Sequence, residues 1–333
     1  MNKFILLLLV SASTMTFAQQ YAPAAGELGT TAMKADSSAF VAWATNVEVI
    51  RGFIDISDTN ITFGTSNRAT TGKPENAVGQ VNGALVSLGD SGVAIITFAK
   101  PITNGPGNDF AVFENGFITL ENNIEKSFLE LAHVEVSSDG INYVRFPSHS
   151  ETQTDNQVGP YMTIDAKYLN NLAGKYTSGY GTPFDLEELK DSANLNVNQI
   201  THVKLIDVVG SIGPEGSIDS YGNKINDPFP TPFSSSGFDL DAVGVIHQNN
   251  SADLVVESLD FNVYPNPSKG LINIEMSHTN ADELFITNSL GKIVKEEFSI
   301  SINSTIQFEL PQGIYFIHLK NKDRISSRKV IVH

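Results

Sequence analysis

The chain has 333 residues, no cysteine, and 37 acidic against 21 basic side chains. Without thiols it has no disulfide framework, no zinc–thiolate site, no iron–sulfur cluster and no cysteine nucleophile. The residues from Phe261 onward carry eight basic and seven acidic groups; setting these and Lys3 aside leaves 12 basic against 30 acidic upstream. A field of that sign disfavours a nucleic-acid partner, while it permits cations and keeps an exported protein soluble.

The opening reads as a signal peptide over residues 1–18. Lys3 is the positive n-region, Phe4 to Val10 the apolar run, and Thr16-Phe17-Ala18 a small-x-small cleavage site. The run is too short for a permanent membrane span, and no transmembrane segment is expected in the mature chain. Residues 19–247 form the body. Its expected strands are Gly92–Phe98, Asp109–Phe113, a hairpin over Val134–Phe146 turning at Asp139-Gly140, Ile200–Val209 and Phe238–Ile246. Asp185 is placed to cap a helix at Leu186-Glu-Glu-Leu-Lys190, with Glu188 completing a capping box and Phe184 and Leu189 a hydrophobic staple. A second short helix is expected from Asp165 to Ala173, stopped by Gly174. Polar residues 248–260 read as a linker. From Phe261 the pattern is short alternating strands, with Ile272, Ile274 and Met276 on one face, then Leu284 and Ile286, then Ile306 and Phe308. About seven strands in this tail fit a small immunoglobulin-like sandwich. The expected fold class is all-β: a jelly-roll β-sandwich with short helical insertions, then the smaller sandwich at 261–333.

Two resemblances bear on this organisation. The ordered set Phe261-Asn-Val-Tyr-Pro-Asn-Pro-Ser-Lys-Gly270, Leu284 to Val294, Leu310-Pro-Gln-Gly-Ile-Tyr-Phe-Ile-His-Leu-Lys320 and Arg328-Lys-Val-Ile-Val-His333 resembles the type A C-terminal sorting domain of the Bacteroidetes type IX secretion system. That implies export to the cell surface or medium, the secretion machinery as partner, and removal of the tail near 248–260. Val134-Glu-Val-Ser-Ser-Asp-Gly140 with Tyr143, Val203-Lys-Leu-Ile206 and Leu240-Asp-Ala-Val-Gly-Val245 resemble the galactose-binding-like jelly roll of discoidin domains and carbohydrate-binding modules. The block Gly107 to Gly116 is similar to uncharacterised bacterial cell-surface proteins, which implies a location and no activity.

Two candidate sites follow. Asp109 and Glu114 flank one strand, and Asp239 and Asp241 lie two apart on another; hard oxygen donors of this kind suit calcium. The galactose-binding-like resemblance implies that these strands meet, gathering the four around a structural calcium. The other candidate is the long loop Gly210–Phe233, where Tyr221, Phe229 and Phe233 offer ring faces and Asn226 and Asp227 offer hydrogen bonds, with Tyr176 and Tyr180 on the same rim. Histidines occur without metal spacing, and no nucleophile elbow, phosphate loop or dinucleotide fingerprint is present. Asp191-Ser192-Ala193 matches a short O-glycosylation sequon. The reading is a non-catalytic binding protein that captures a glycan or small extracellular ligand. The alternatives are an extracellular polymer hydrolase and a ligand-capture accessory to an outer-membrane nutrient receptor, with cobalamin as one example.

Overall fold

A computed structural model describes residues 21–248, 261–276, 281–289, 291–300, 305–321 and 324–333. The expected signal peptide, and the linker beyond Gln248, lie outside the described residues. The chain divides into two compact units, Met1–Asn249 and Asn250–His333. No helix among the described residues is long and apolar enough to cross a membrane.

The body is a β-sandwich of two antiparallel sheets. In the first, Met33–Lys34, Tyr180–Phe184, Phe110–Glu114, Asp239–Val245 and Ala42–Trp43 are neighbours in that order, and Val86–Ser87 also pairs with Asp239–Val245. The second runs Val144–Arg145, Ala132–Ser137, Ile200–Asp207, Val93–Ile102, Asn46–Ile50. Alternation explains the core. Phe110 and Val112 turn inward and pack with Leu240, Val243, Val134, Val136, Val203 and Leu205, all buried. Ala111, Phe113 and Ala242 turn to the other face, under Phe40 and Trp43. The Val134–Phe146 hairpin forms as read, with Val144 opposite Val136 and Gly140 at φ +75° in the turn.

The expected helices are single 3-10 turns. Asp185 caps Leu186–Leu189 through Glu187 N at 2.9 Å, and Phe184 and Leu189 share the core. Glu188 does not reach back to close a capping box; it accepts from Asn171 Nδ2 at 2.6 Å. The second turn is only Ala166–Tyr168, because Leu169–Asn170 leaves it to pair with His149–Ser150.

The tail has a three-stranded sheet (Phe261–Tyr264, Leu271–Met276, Thr305–Glu309) and a four-stranded sheet (Ile293–Ile300, Ala281–Asn288, Gly313–Asn321, Arg324–Val332). Ile272, Ile274 and Met276 are buried in alternation, as are Tyr315, Ile317 and Leu319. Its two end motifs are tied to each other. Asn266 donates to Lys329 O at 2.8 Å and accepts from Ile331 N at 3.1 Å, while His333 N donates to Ser268 O at 2.9 Å. The Tyr-Pro-Asn-Pro-Ser entry and the final strand therefore form one structural unit.

Candidate functional site

A cleft of about 230 Å³ opens at one end of the body. Three carboxylates line it, Glu114, Glu130 and Asp239, together with Phe117, Phe128, Tyr161 and Phe233. Each arrives for a local reason. Glu114 ends the Phe110–Glu114 strand, where inward alternation carries it past the apolar core. Its Oε2 accepts from Gly116 N at 2.6 Å. A Cβ on Gly116 would come within 2.7 Å of Phe128 O and 2.9 Å of Glu114 Oε2, so this tight corner requires glycine.

After the corner the chain forms a hairpin, Phe117–Glu121 with Ile124–Phe128, turned by Asn122 and Asn123, both at positive φ. Phe117 stands directly opposite Phe128, and their rings stack at 4.8 Å and 14°. They form one wall. The second wall is Tyr161 against Phe233, which also line the cleft, with ring centroids 5.7 Å apart. Glu130 follows the hairpin at the floor, only 8% exposed, with no hydrogen bond or ion pair among the described residues. Gly174, at φ +81°, packs on its carbonyl; a Cβ there would sit 1.9 Å from Glu130 O. Asp239 opens the last strand of the body and accepts a hydrogen bond from Ser87 Oγ.

The electrostatics follow from burial. Loss of solvent pushes Glu114 and Glu130 well above the ordinary carboxylate range, and Asp239's charge pushes both further. Asp239 is raised to about 7 by burial, against the opposing Ser87 bond and the Arg51 guanidinium. Arg51 donates to the carbonyls of Thr71 and Gly72 at 2.9 and 2.8 Å, and also to Ser87 O. Buried carboxyls beside aromatic rings have the chemistry to favour positive charge or to accept from hydroxyl donors.

Of the four carboxylates expected to share calcium, Glu114 and Asp239 meet at this floor. Asp241 lies beyond, at the irregularity in the Asp239–Val245 pairing; it is raised to about 6 by burial, and its Oδ1 has no hydrogen-bond partner among the described residues. Asp109 does not join them. It stands at the opposite end of the Phe110–Glu114 strand, accepting from Gly105 N and Leu186 N at 2.7 Å each, with His247 Nδ1 at 2.8 Å. Those contacts lock the body's last strand and the Leu186 turn, which occupies both its oxygens.

Of the loop residues expected to bind ligand, only Phe233 reaches the cleft. Asn226 is fully buried, donating to Gln153 O and Asn156 O and accepting from Val158 N. Asp227 accepts from Leu131 N at 3.0 Å, and Phe229 is 6% exposed. These three anchor the loop to the body, because its buried backbone needs partners. Tyr180 pairs with Lys34 in the first sheet. Tyr176 is buried, its hydroxyl 2.8 Å from Thr31 Oγ1. Tyr221 lies elsewhere, its ring 4.5 Å from His149. Sequence reasoning missed Phe117, Phe128, Tyr161 and Glu130. The Asn122-Asn123 pair between alternating runs was the available hairpin signal.

Comparison with known proteins bears mainly on the tail. Residues 262–333 match the family model described as the secretion system C-terminal sorting domain. This segment is a type IX sorting domain, so the protein is exported to the cell surface or extracellular space and meets the type IX machinery through its tail. No curated protein matches the chain. A solved structure titled "Biofilm associated protein - BSP domain" aligns over 89% of this chain at 11% identity and a TM-score of 0.20. The alignment spans 53% of that structure, about half its length.

Proposed function

We propose that the body is a ligand-capture module that the tail delivers to the cell exterior, and that the cleft at Glu114, Glu130 and Asp239 takes a glycan or another small extracellular ligand. The observation that carries this is the pair of aromatic walls over a carboxylate floor. Ring faces cover the flat apolar face of a sugar, and carboxylates accept from its hydroxyls. The likeness of the body's strands to galactose-binding-like modules supports the same reading. The test is a thermal-shift screen of the full chain followed by Trp43 fluorescence, since the only tryptophan lies in the body. A ligand of the native state raises the midpoint, and Phe128→Ala abolishes the rise. If no saccharide or small metabolite shifts the midpoint, the reading fails.

A second reading places calcium on the same floor. It is favoured by the buried carboxylate excess and by the unpartnered Asp241 Oδ1. As placed, no group of three or more acidic or histidine side chains among the described residues is drawn together tightly enough to hold one ion, so calcium requires side-chain movement. Chelator should then lower the Trp43 midpoint and added calcium restore it. An unchanged midpoint with no metal by elemental analysis removes this reading.

A further inference from the structure

The geometry points to a small organic cation, an ammonium group on a sugar or alkyl body, as the cleft's ligand, with its charge against Glu130 and its body between the two aromatic pairs. This inference rests on the capture reading above and names the chemistry of that ligand.

Three observations converge. The first is Glu130, a carboxylate more than nine-tenths buried, lining the cavity without a hydrogen-bond or ion-pair partner among the described residues. Buried carboxylates elsewhere in this body have donors: Asp207 accepts from Ser91 N and Phe238 N, Asp227 from Leu131 N, and Asp90 from Ile56 N. Those carboxylates serve the fold, whereas Glu130 is free to serve what enters the cleft.

The second observation is the sign and distribution of charge. Around Glu130 stand Asp239, Glu114, Asp227 and Asp207, all acidic. The basic group acting on Asp239 is Arg51, whose guanidinium is already committed to the carbonyls of Thr71, Gly72 and Ser87. Burial favours the protonated form of these carboxyls while the cleft is empty, and a bound cation offsets the cost of ionising them in a way that a neutral hydroxyl donor does not. Because the carboxylates surround a cavity instead of converging on one point, a bulky cation with diffuse charge matches them better than a metal ion does.

The third is the walls. Phe117 stacks on Phe128 and Tyr161 packs against Phe233, and all four rings line the cleft; aromatic rings attract cations through their quadrupole, and their carbon surface covers an apolar body. Aromatic faces over a carboxylate are the recurring solution for alkylammonium recognition.

The experiment is calorimetric titration of the full chain with matched pairs: glucosamine against glucose, and choline against its neutral isostere 3,3-dimethylbutan-1-ol. The cation of at least one pair should bind tenfold or more tightly than its neutral mate. Glu130→Gln should weaken that cation at least tenfold and erase most of the difference. Affinity should rise between pH 6 and pH 8 as Asp239 at the floor ionises. Half-exposed Phe117→Ala, checked for folding by Trp43 fluorescence, should weaken it too, so the test survives should Glu130→Gln fail to fold. Equal binding of charged and neutral members overturns the cation inference and leaves capture standing. Binding of neither overturns both. Calcium that binds alone and displaces the ammonium ligand assigns the floor to metal and also overturns the inference.

Discussion

Replacing Asp239 by asparagine should stabilise the ligand-free protein at alkaline pH and do little in acid. The folded carboxyl holds its proton up to about pH 7, against an ordinary value of 3.8, because burial outweighs the opposing Ser87 bond and Arg51 guanidinium. Folded protein therefore binds more protons than unfolded protein between these values. The contribution of Asp239 to stability is greatest below about pH 4 and falls as pH rises to 7. At about 1.4 kcal/mol per unit, the ionised buried group costs roughly 4 kcal/mol at pH 8. The asparagine side chain removes that cost but exchanges the charged bond from Ser87 for a neutral one, losing about 1 kcal/mol. The net gain is about 3 kcal/mol, on the order of 6–12 °C in midpoint for a body of this size. At pH 4.5 only about 1 kcal/mol of ionisation cost is present, so the variant should match the parent. The assay is thermal unfolding of the full chain followed by Trp43 fluorescence at both pH values. A variant that is destabilised at pH 8, or shifted equally at both, refutes the reasoning.

Other outcomes follow from the same physics. His133 is buried and pushed down to about 4, so stability should fall by roughly 3 kcal/mol as pH drops from 6.5 through 4; urea midpoints across that range should show the limb, and His133→Leu should flatten it. Gly174→Ala, forcing a Cβ against Glu130 O at positive φ, should cost about 2–4 kcal/mol by urea unfolding and weaken ligand binding by moving the floor. Asn266→Ala removes two hydrogen bonds joining the tail's end motifs, costing about 1–3 kcal/mol in the tail, and should reduce the exported fraction measured by immunoblot of culture medium and cell surface. Deletion of residues 261–333 should retain the body in the periplasm.

The tail was legible in the sequence because its information is local: two-residue alternation specifies which side chains are buried, and Ile272, Ile274 and Met276 obey it without exception. The body's main strands were legible for the same reason. The cleft was less so. Phe117 and Phe128 sit in the hairpin, yet Tyr161 and Phe233 come from separate loops, and no local period records that convergence. Glu114 and Asp239, each at a strand end, could be placed near one another from sequence and both line the cleft, whereas Glu130 follows an apolar junction that reads as core. Asn226, Asp227 and Asp109, read from sequence as ligand or metal contacts, are held by hydrogen bonds of the fold. A polar side chain in a long loop serves equally well as a ligand contact or as an anchor for buried backbone, and residue type does not separate the two. The accounting that separates them is three-dimensional: Asn226 spends its hydrogen-bonding capacity on Gln153, Asn156, Gln157 and Val158.

Saturation-transfer NMR on the full chain tests most directly the claim that the cleft, and not exposed aromatic surface in general, captures ligand. Tyr161 and Tyr221 are similarly exposed, at 75% and 71%, but only Tyr161 lines the cleft. With a mixture of neutral and amino sugars, transfer to ligand should be strong in the parent and in Tyr221→Ala, and lost in Tyr161→Ala and Phe233→Ala. Transfer that survives both cleft variants and disappears with Tyr221→Ala would contradict the account.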